Sequence, residues 1–94
     1  SDIRLKRAIA PLAKLESGLQ LYRFQYLWSD DVFVGVMAQD LLANPQWQDA
    51  VVVQKNGFYA VNYEHLGIRM VSLAEWNHQG IHALVLAPAL ALAH

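Results

Sequence analysis

The 94-residue sequence predicts an α+β domain, with two β-hairpins, a short helix between them and a longer carboxy-terminal helix. Two observations predict the hairpins. Aromatic side chains fall at every second position in residues 19–28, and an Asn-Gly pair separates two strand-like runs near residue 56. Apolar side chains spaced three or four positions apart after Tyr63 predict the helix. No repeat or linker is visible, so we expect one domain over residues 1–94.

The first hairpin is predicted over residues 19–36. Its first strand carries an aromatic stripe that is expected to lie in the core, namely Tyr22, Phe24, Tyr26 and Trp28. A Ser-Asp-Asp turn and a second strand over residues 32–36 follow. Gly35 inside that strand indicates a bulge or a close approach of the backbone. Before this hairpin, residues 2–10 are expected to form one helical turn and then extended chain up to Pro11.

A short helix is predicted over residues 37–43, closed by an Asn-Pro pair. The second hairpin is predicted from strands at residues 50–54 and 58–62. Asn56 and Gly57 between them favour a type I′ turn, because both residue types tolerate a positive φ.

The carboxy-terminal helix is predicted from Tyr63 to about Ala87. Gly80 weakens its middle, and Pro88 ends it. Residues 81–94 are strongly apolar but shorter than the roughly 20 apolar residues that a bilayer span needs. We therefore expect a packed helix followed by an apolar tail. No signal peptide is visible at the amino-terminal end, and no membrane partner is expected.

Composition and net charge favour some classes of function and argue against others. The chain is 55% hydrophobic and 16% charged, which predicts that some apolar surface is buried against another chain. The net charge of -1 argues against a dedicated nucleic-acid binder, because binding phosphates needs a basic excess. The absence of cysteine excludes disulfides and thiolate metal sites.

Ser1 and Lys6 offer one candidate for chemistry. A serine hydroxyl needs a base, and a neutral lysine amine can serve if it is desolvated or lies near other cations. Arg4 and Arg7 are such cations, and burial between subunits is expected to complete the desolvation. Five helical positions would set the two side chains about 140° apart, so they should not share one continuous helix. The alternative is that Ser1 or Asp2 simply caps a helical turn.

Other candidate groups are weaker. His78 and His82 have the i, i+4 spacing of metal ligands, but the pattern lacks the glutamate that follows the first histidine in zinc proteases and a third ligand. A surface or interface pair is favoured instead. The remaining carboxylates, Asp30, Asp31, Asp40 and Glu64, form no pair suited to acid-base catalysis. We expect no metal and no cofactor.

Three stretches in a fixed order carry a resemblance to a known family. The chain opens with SDIRLK, continues with GVMAQD at residues 35–40, and then has GFYAVNYEHL at residues 57–66. These are similar to the S-D-x-R-L-K opening, the G-[VI]-[IM]-A-Q-[ED] motif and the G-Y-x-x-V-D-Y-x-x-L block of the peptidase S74 family. Asn62 stands in the place of the aspartate. That family comprises the carboxy-terminal intramolecular chaperones of phage tail spikes and endosialidases.

The resemblance implies a homotrimeric chaperone that helps an upstream β-rich fibre segment of its own precursor to fold. It is then released by autoproteolysis just before Ser1, with Ser1 as nucleophile and Lys6 as base. It also implies supporting positions. Asp2 is expected to cap the following turn, Gly35 to lie in close-packed backbone, and Gln39 to make a polar contact near the site or an interface.

The same resemblance implies a cellular location, and two alternative functions stay open. Assembly would occur in the cytoplasm of a bacterial host, and the released domain would be absent from the mature fibre. One alternative is a non-cleaving trimerisation or attachment domain in which Ser1 only caps a helix. Another is a eukaryotic membrane-bound or nuclear transcription-factor precursor, since the same domain type occurs in such proteins.

Overall fold

The computed structural model describes residues 1–85 and confirms the predicted α+β class. In this part of the chain two antiparallel sheets are connected by short helices. The strands are β1 (Lys6–Lys14), β2 (Gln20–Tyr26), β3 (Val32–Gly35), β4 (Val51–Val53), β5 (Tyr59–Val61) and β6 (Val71–Ser72). The α-helices are α1 (Ala38–Leu42), α2 (Tyr63–Leu66) and α3 (Leu73–Gln79), and the 3-10 helices are Ile3–Leu5, Gln48–Ala50 and Gly80–Ala83.

The larger sheet has the strand order β1-β2-β3-β6. Strands β2 and β3 form the first hairpin that the sequence predicts, with Phe24 opposite Phe33. Strand β1 differs from the expectation. The predicted helical turn is limited to Ile3–Leu5, and the extended chain that follows pairs with β2 well beyond Pro11. Pro11 is tolerated there because β1 lies at the sheet edge, where a missing N–H breaks no inner ladder bond.

The core lies on one face of this sheet. Leu21 and Val34 from neighbouring strands are fully buried on that face. The rest of the buried cluster is Leu19, Val36, Leu41, Ala50, Ile68, Val71, Ala83 and Leu84. Because side chains alternate along a strand, Phe24 and Phe33 face the opposite side. That second face carries the candidate site.

The second hairpin is present, but its turn differs from the predicted type I′. Strands β4 and β5 pair antiparallel, and Gly57 has a φ of 85°. Asn56 does not share a positive φ, which a type I′ turn requires. Instead, the N–H groups of Gly57 and Gln54 bond to the carbonyls of Gln54 and Phe58. This is a three-residue loop with glycine at its left-handed position.

The carboxy-terminal helix is much shorter than predicted. In place of one helix from Tyr63 to about Ala87, α2 stops where Gly67 adopts a left-handed φ of 72°. The chain then forms β6, and α3 starts afresh on a capping box between Ser72 and Glu75. Local stop and start signals therefore override the apolar spacing that predicted a continuous helix.

Helix α3 itself ends before Gly80, which has a φ of 60°. The predicted helix end at Pro88 and the apolar tail after it lie outside the described residues. Within residues 1–85, none of the helices has the length and apolar character to cross a membrane.

Candidate active site

Ser1 and Lys6 lie on either side of a single helical turn. Asp2 caps the 3-10 helix Ile3–Leu5, since its carboxylate accepts a hydrogen bond from the Arg4 N–H at 2.9 Å. Lys6 follows as the first residue of β1. The expectation that Ser1 and Lys6 do not share one continuous helix is therefore confirmed.

The Lys6 amine is buried, with only 6% of the residue exposed. Its Nζ donates to the Val36 carbonyl at 3.1 Å and contacts the Met37 Sδ at 3.5 Å. The centre of the Phe24 ring lies 3.9 Å from Nζ. Burial lowers the pKa of Lys6 from 10.5 to about 8, because the charged amine loses hydration. A useful fraction of Lys6 is thus neutral near physiological pH and able to accept a proton.

This burial corrects two expectations about how Lys6 becomes a base. Its own chain already desolvates it, so closure by neighbouring subunits is not needed for the lowered pKa. The two arginines are not the cause either, because each is paired with a carboxylate. Arg4 bonds Asp2 at 2.7 Å, and Arg7 bonds Asp30 at 2.8 Å.

Ser1 is partly buried and held by two hydrogen bonds. Its hydroxyl donates to the Tyr63 hydroxyl at 3.2 Å, and its carbonyl accepts from the Ala38 N–H at 2.7 Å. Its nitrogen lies near the Lys6 amine. Burial and the neighbouring Lys6 lower the pKa of the Ser1 amine from 8.0 to about 5. The Ser1 nitrogen therefore neighbours the buried Lys6 amine.

The Asp2 carboxylate is fully buried and anchors this segment. It accepts hydrogen bonds from the Arg4 guanidinium, from the Gln39 amide at 2.8 Å and from the Tyr59 N–H at 2.9 Å. The Arg4 guanidinium, helped by the backbone N–H groups, holds the pKa of Asp2 well below its usual range. Arg4 also donates to the Gly57 carbonyl at 3.0 Å. The carboxylate thus ties the start of the chain to α1 and the second hairpin.

Gln39 and Gly35 lie in the same site. Gln39 bridges α1 to the amino-terminal segment, since its Oε1 accepts from the Ile3 N–H at 2.9 Å while its Nε2 donates to Asp2. A Cβ at Gly35 would lie 2.5 Å from the Tyr63 hydroxyl, so only glycine leaves room for that phenol. The structure therefore brings together all five residues singled out from the sequence, which are Ser1, Asp2, Lys6, Gly35 and Gln39.

Sequence reasoning misses Tyr63 as a member of the site. Its hydroxyl accepts hydrogen bonds from Ser1 and from the Val36 N–H, both at 3.2 Å. Burial raises the pKa of Tyr63, which keeps the phenol neutral. A signal for it exists in the sequence, because Tyr63 is the second tyrosine of the third quoted block, but that pattern gives no side-chain direction.

The aromatic stripe of β2 also has a different place from the one predicted. Of its four members only Phe24 is buried, while Trp28 is 68% exposed and stacks on Tyr26 at 4.8 Å between ring centres. The reason is that Leu19, just before β2, and Leu21, on the other face of β2, supply the core. The stripe instead covers the Lys6 amine. Phe24 makes the close contact, and the centre of the Tyr26 ring lies further away, at 5.9 Å from Nζ.

The other candidate groups stay apart from this site. His78 is exposed on α3, and His82 is exposed on the 3-10 helix after Gly80. Asp40 accepts a 2.6 Å hydrogen bond from the Tyr22 hydroxyl. Across residues 1–85, no cluster of three or more histidine, aspartate or glutamate side chains is arranged to hold a metal ion.

Comparison with protein families gives a match over the first part of the chain. The family model of peptidase S74, described as the chaperone of endosialidase, matches residues 1–52. This range contains Ser1, Asp2, Lys6, Gly35 and Gln39, but not Tyr63. No curated protein matches the chain. No solved structure matches it either.

Proposed function

The chain belongs to the peptidase S74 family, the chaperones of endosialidase, and we propose that it is a self-releasing folding chaperone of a fibre-like protein. In this proposal the domain trimerises, assists an upstream β-rich segment of the same precursor, and is then cut off just before Ser1. The site is used once, on its own chain. Assembly takes place in the cytoplasm of a bacterial host, and the mature fibre lacks the domain.

One observation carries the proposed chemistry: the buried Lys6 amine, whose pKa is lowered, donates to the carbonyl of Val36, and the N–H of Val36 holds the Tyr63 hydroxyl that contacts the Ser1 hydroxyl. In the precursor the Ser1 nitrogen belongs to the peptide bond to be cut. In this proposal Lys6 serves both ends of the reaction, as base for the hydroxyl and as acid for the leaving nitrogen.

The neutral Lys6 amine takes the Ser1 hydroxyl proton while Oγ bonds to the carbonyl carbon of the preceding residue. The bond from that carbon to the Ser1 nitrogen breaks, and the nitrogen leaves as an amine after taking the proton from Lys6. The result is an ester on Oγ. Water hydrolyses this ester, which leaves an upstream carboxylate and restores the Ser1 hydroxyl.

Exposed apolar side chains support the proposed assembly. Leu27, Trp28 and Val53 are each more than half exposed, at 54%, 68% and 66%. Leu27 and Trp28 are adjacent in the chain, and contact with another chain at this pair would bury exposed apolar surface. The two parts of the proposal are separable, because assembly can be measured by sedimentation and cleavage by fragment analysis.

The first test is cleavage of a precursor that includes the natural residues before Ser1. The wild type is expected to yield a fragment whose first residue is Ser1, identified by amino-terminal sequencing. Ser1→Ala removes the nucleophile and should leave the precursor whole. Ser17→Ala, at an exposed turn position, is the matched control and should be cut like the wild type.

Two results would contradict the proposal. A wild-type precursor that stays whole while sedimenting as a trimer would favour the non-cleaving trimerisation domain instead. A Ser1→Ala precursor cut at the same bond would show that another protein performs the cleavage.

A further inference from the structure

The Tyr63 hydroxyl lies where three parts of the chain meet. Tyr63 opens α2, and its side chain reaches β3 and the start of the chain. Its oxygen accepts two hydrogen bonds, one from the Ser1 hydroxyl and one from the Val36 N–H. The Val36 carbonyl in turn accepts from Lys6 Nζ. The backbone of one residue therefore anchors both the tyrosine that holds Ser1 and the amine that serves it.

Gly35 makes this arrangement possible. A Cβ at this position would lie 2.5 Å from the Tyr63 hydroxyl and 3.2 Å from Met70 Cγ. Gly35 has no positive φ, so its backbone conformation does not require glycine. What requires glycine is the space that the phenol occupies beside β3.

We propose that Tyr63 is a positioning residue for the Ser1 nucleophile, which deepens the cleavage proposed above and rests on it. The contact with Tyr63 fixes the position of the Ser1 Oγ, and the Val36 N–H fixes Tyr63; the hydroxyl proton turns from Tyr63 to Lys6 as the reaction begins. A reacting oxygen held in one position loses little entropy on the way to the transition state. The phenol exchanges no proton with the substrate in this role.

The direct test is the cleavage rate of a Tyr63→Phe precursor. Loss of the hydroxyl frees the Ser1 side chain, and we expect cleavage to slow by about 10- to 100-fold. The pH at which the rate reaches half its plateau should not move, because Lys6 remains the base. Tyr22→Phe is the matched control. It removes a phenolic hydrogen bond to Asp40, away from Ser1, and should be cut at the wild-type rate.

A pair of variants separates positioning from a purely structural role. Gly35→Ala should displace the Tyr63 hydroxyl, lower the melting temperature and slow cleavage. In the double variant Gly35→Ala with Tyr63→Phe, the new methyl group enters space that the hydroxyl has left. The melting temperature should then recover relative to Gly35→Ala alone, while cleavage remains slow.

The outcomes distinguish this inference from the function on which it rests. If the wild type is cut and Tyr63→Phe is cut equally fast, only the role of Tyr63 is overturned. Recovery of cleavage together with melting temperature in the double variant would also overturn it, since the hydroxyl would then matter only for folding. An uncut wild-type precursor would overturn both proposals.

Discussion

Replacing Lys6 with methionine is expected to stop cleavage before Ser1 while leaving the fold intact. Methionine lacks the Nζ atom but keeps the unbranched apolar stem of the side chain, so it can still pack against Phe24 and Met37. Exchanging a buried charge for an apolar group of similar volume is often neutral or stabilising. Loss of the base should slow cleavage by at least about 100-fold. Lys14→Met, at the exposed end of β1, is the control and should behave like the wild type.

The measurement for this prediction is the cleavage rate against pH, together with the melting temperature of each variant. In the wild type the reactive form of Lys6 is the neutral one, so the rate should rise about tenfold per pH unit and flatten near pH 8. A Lys6→Met precursor that is cut at the wild-type rate would contradict the role of Lys6.

Stability should also depend on pH through Lys6. The pKa of Lys6 is about 8 in the folded chain, whereas the unfolded chain has the ordinary value of 10.5. Between pH 8 and pH 10.5 the unfolded chain therefore binds more protons than the folded chain. The free energy of unfolding should therefore rise with pH across this window. Below pH 8 the full cost of burying the charged amine is present. Lys6→Met should lack this rise.

Asp2→Asn is expected to give the largest loss of stability among the site variants, about 3 kcal/mol. The new amide group would face N–H donors from Gln39 and Tyr59 and could not replace the charge that pairs with Arg4. Cleavage should slow as well, because Ser1 is the residue next to the displaced anchor. The measurement is the denaturant midpoint of unfolding, alongside the cleavage rate.

The control for Asp2 is Asp30→Asn. Asp30 also pairs with an arginine, Arg7, but its side chain is fully exposed. An exposed pair of this kind contributes at most about 1 kcal/mol, so the midpoint should barely change. Equal losses for the two variants would show that the buried network around Asp2 does not hold the segment in place.

The Asp2 network also predicts how the fold responds to acid. The pKa of Asp2 is held far below its ordinary value of 3.8, mainly by Arg4. Its contribution to the free energy of unfolding is therefore fully present above about pH 4 and falls as the pH is lowered further. Asp2→Asn should lose less stability than the wild type over that acid range.

The sequence predicts the fold where local signals and periodicity agree. The β2–β3 hairpin follows from alternation, and the second hairpin follows from the turn residues near Gly57. Prediction of the fold from the sequence fails where two local signals compete. The apolar spacing after Tyr63 favours one helix, yet Gly67 and the Ser72–Glu75 capping box divide it. A capping box is visible in sequence, and giving it more weight would have predicted the start of α3.

The sequence identifies most residues of the site but not the contacts that bury Lys6 and hold Ser1. The order of the quoted motifs singles out Ser1, Lys6 and Gln39. The burial of Lys6 depends on Phe24 and on the Val36 carbonyl, which only the folded sheet brings beside it. The contact between Tyr63 and Ser1 joins residues 62 positions apart in the chain, and no local pattern encodes it.

The most direct measurement of the central claim is a pH jump on purified precursor. Wild-type precursor refolded at pH 6 holds Lys6 charged and should remain mostly whole, since the pKa of Lys6 is about 8. Raising the pH to 8.5, with no other protein present, should release a fragment that begins at Ser1, while Lys6→Met stays whole. A folded wild-type precursor that remains uncut at pH 8.5, or a fragment that begins at another residue, would contradict the claim that Ser1 and Lys6 cut their own chain.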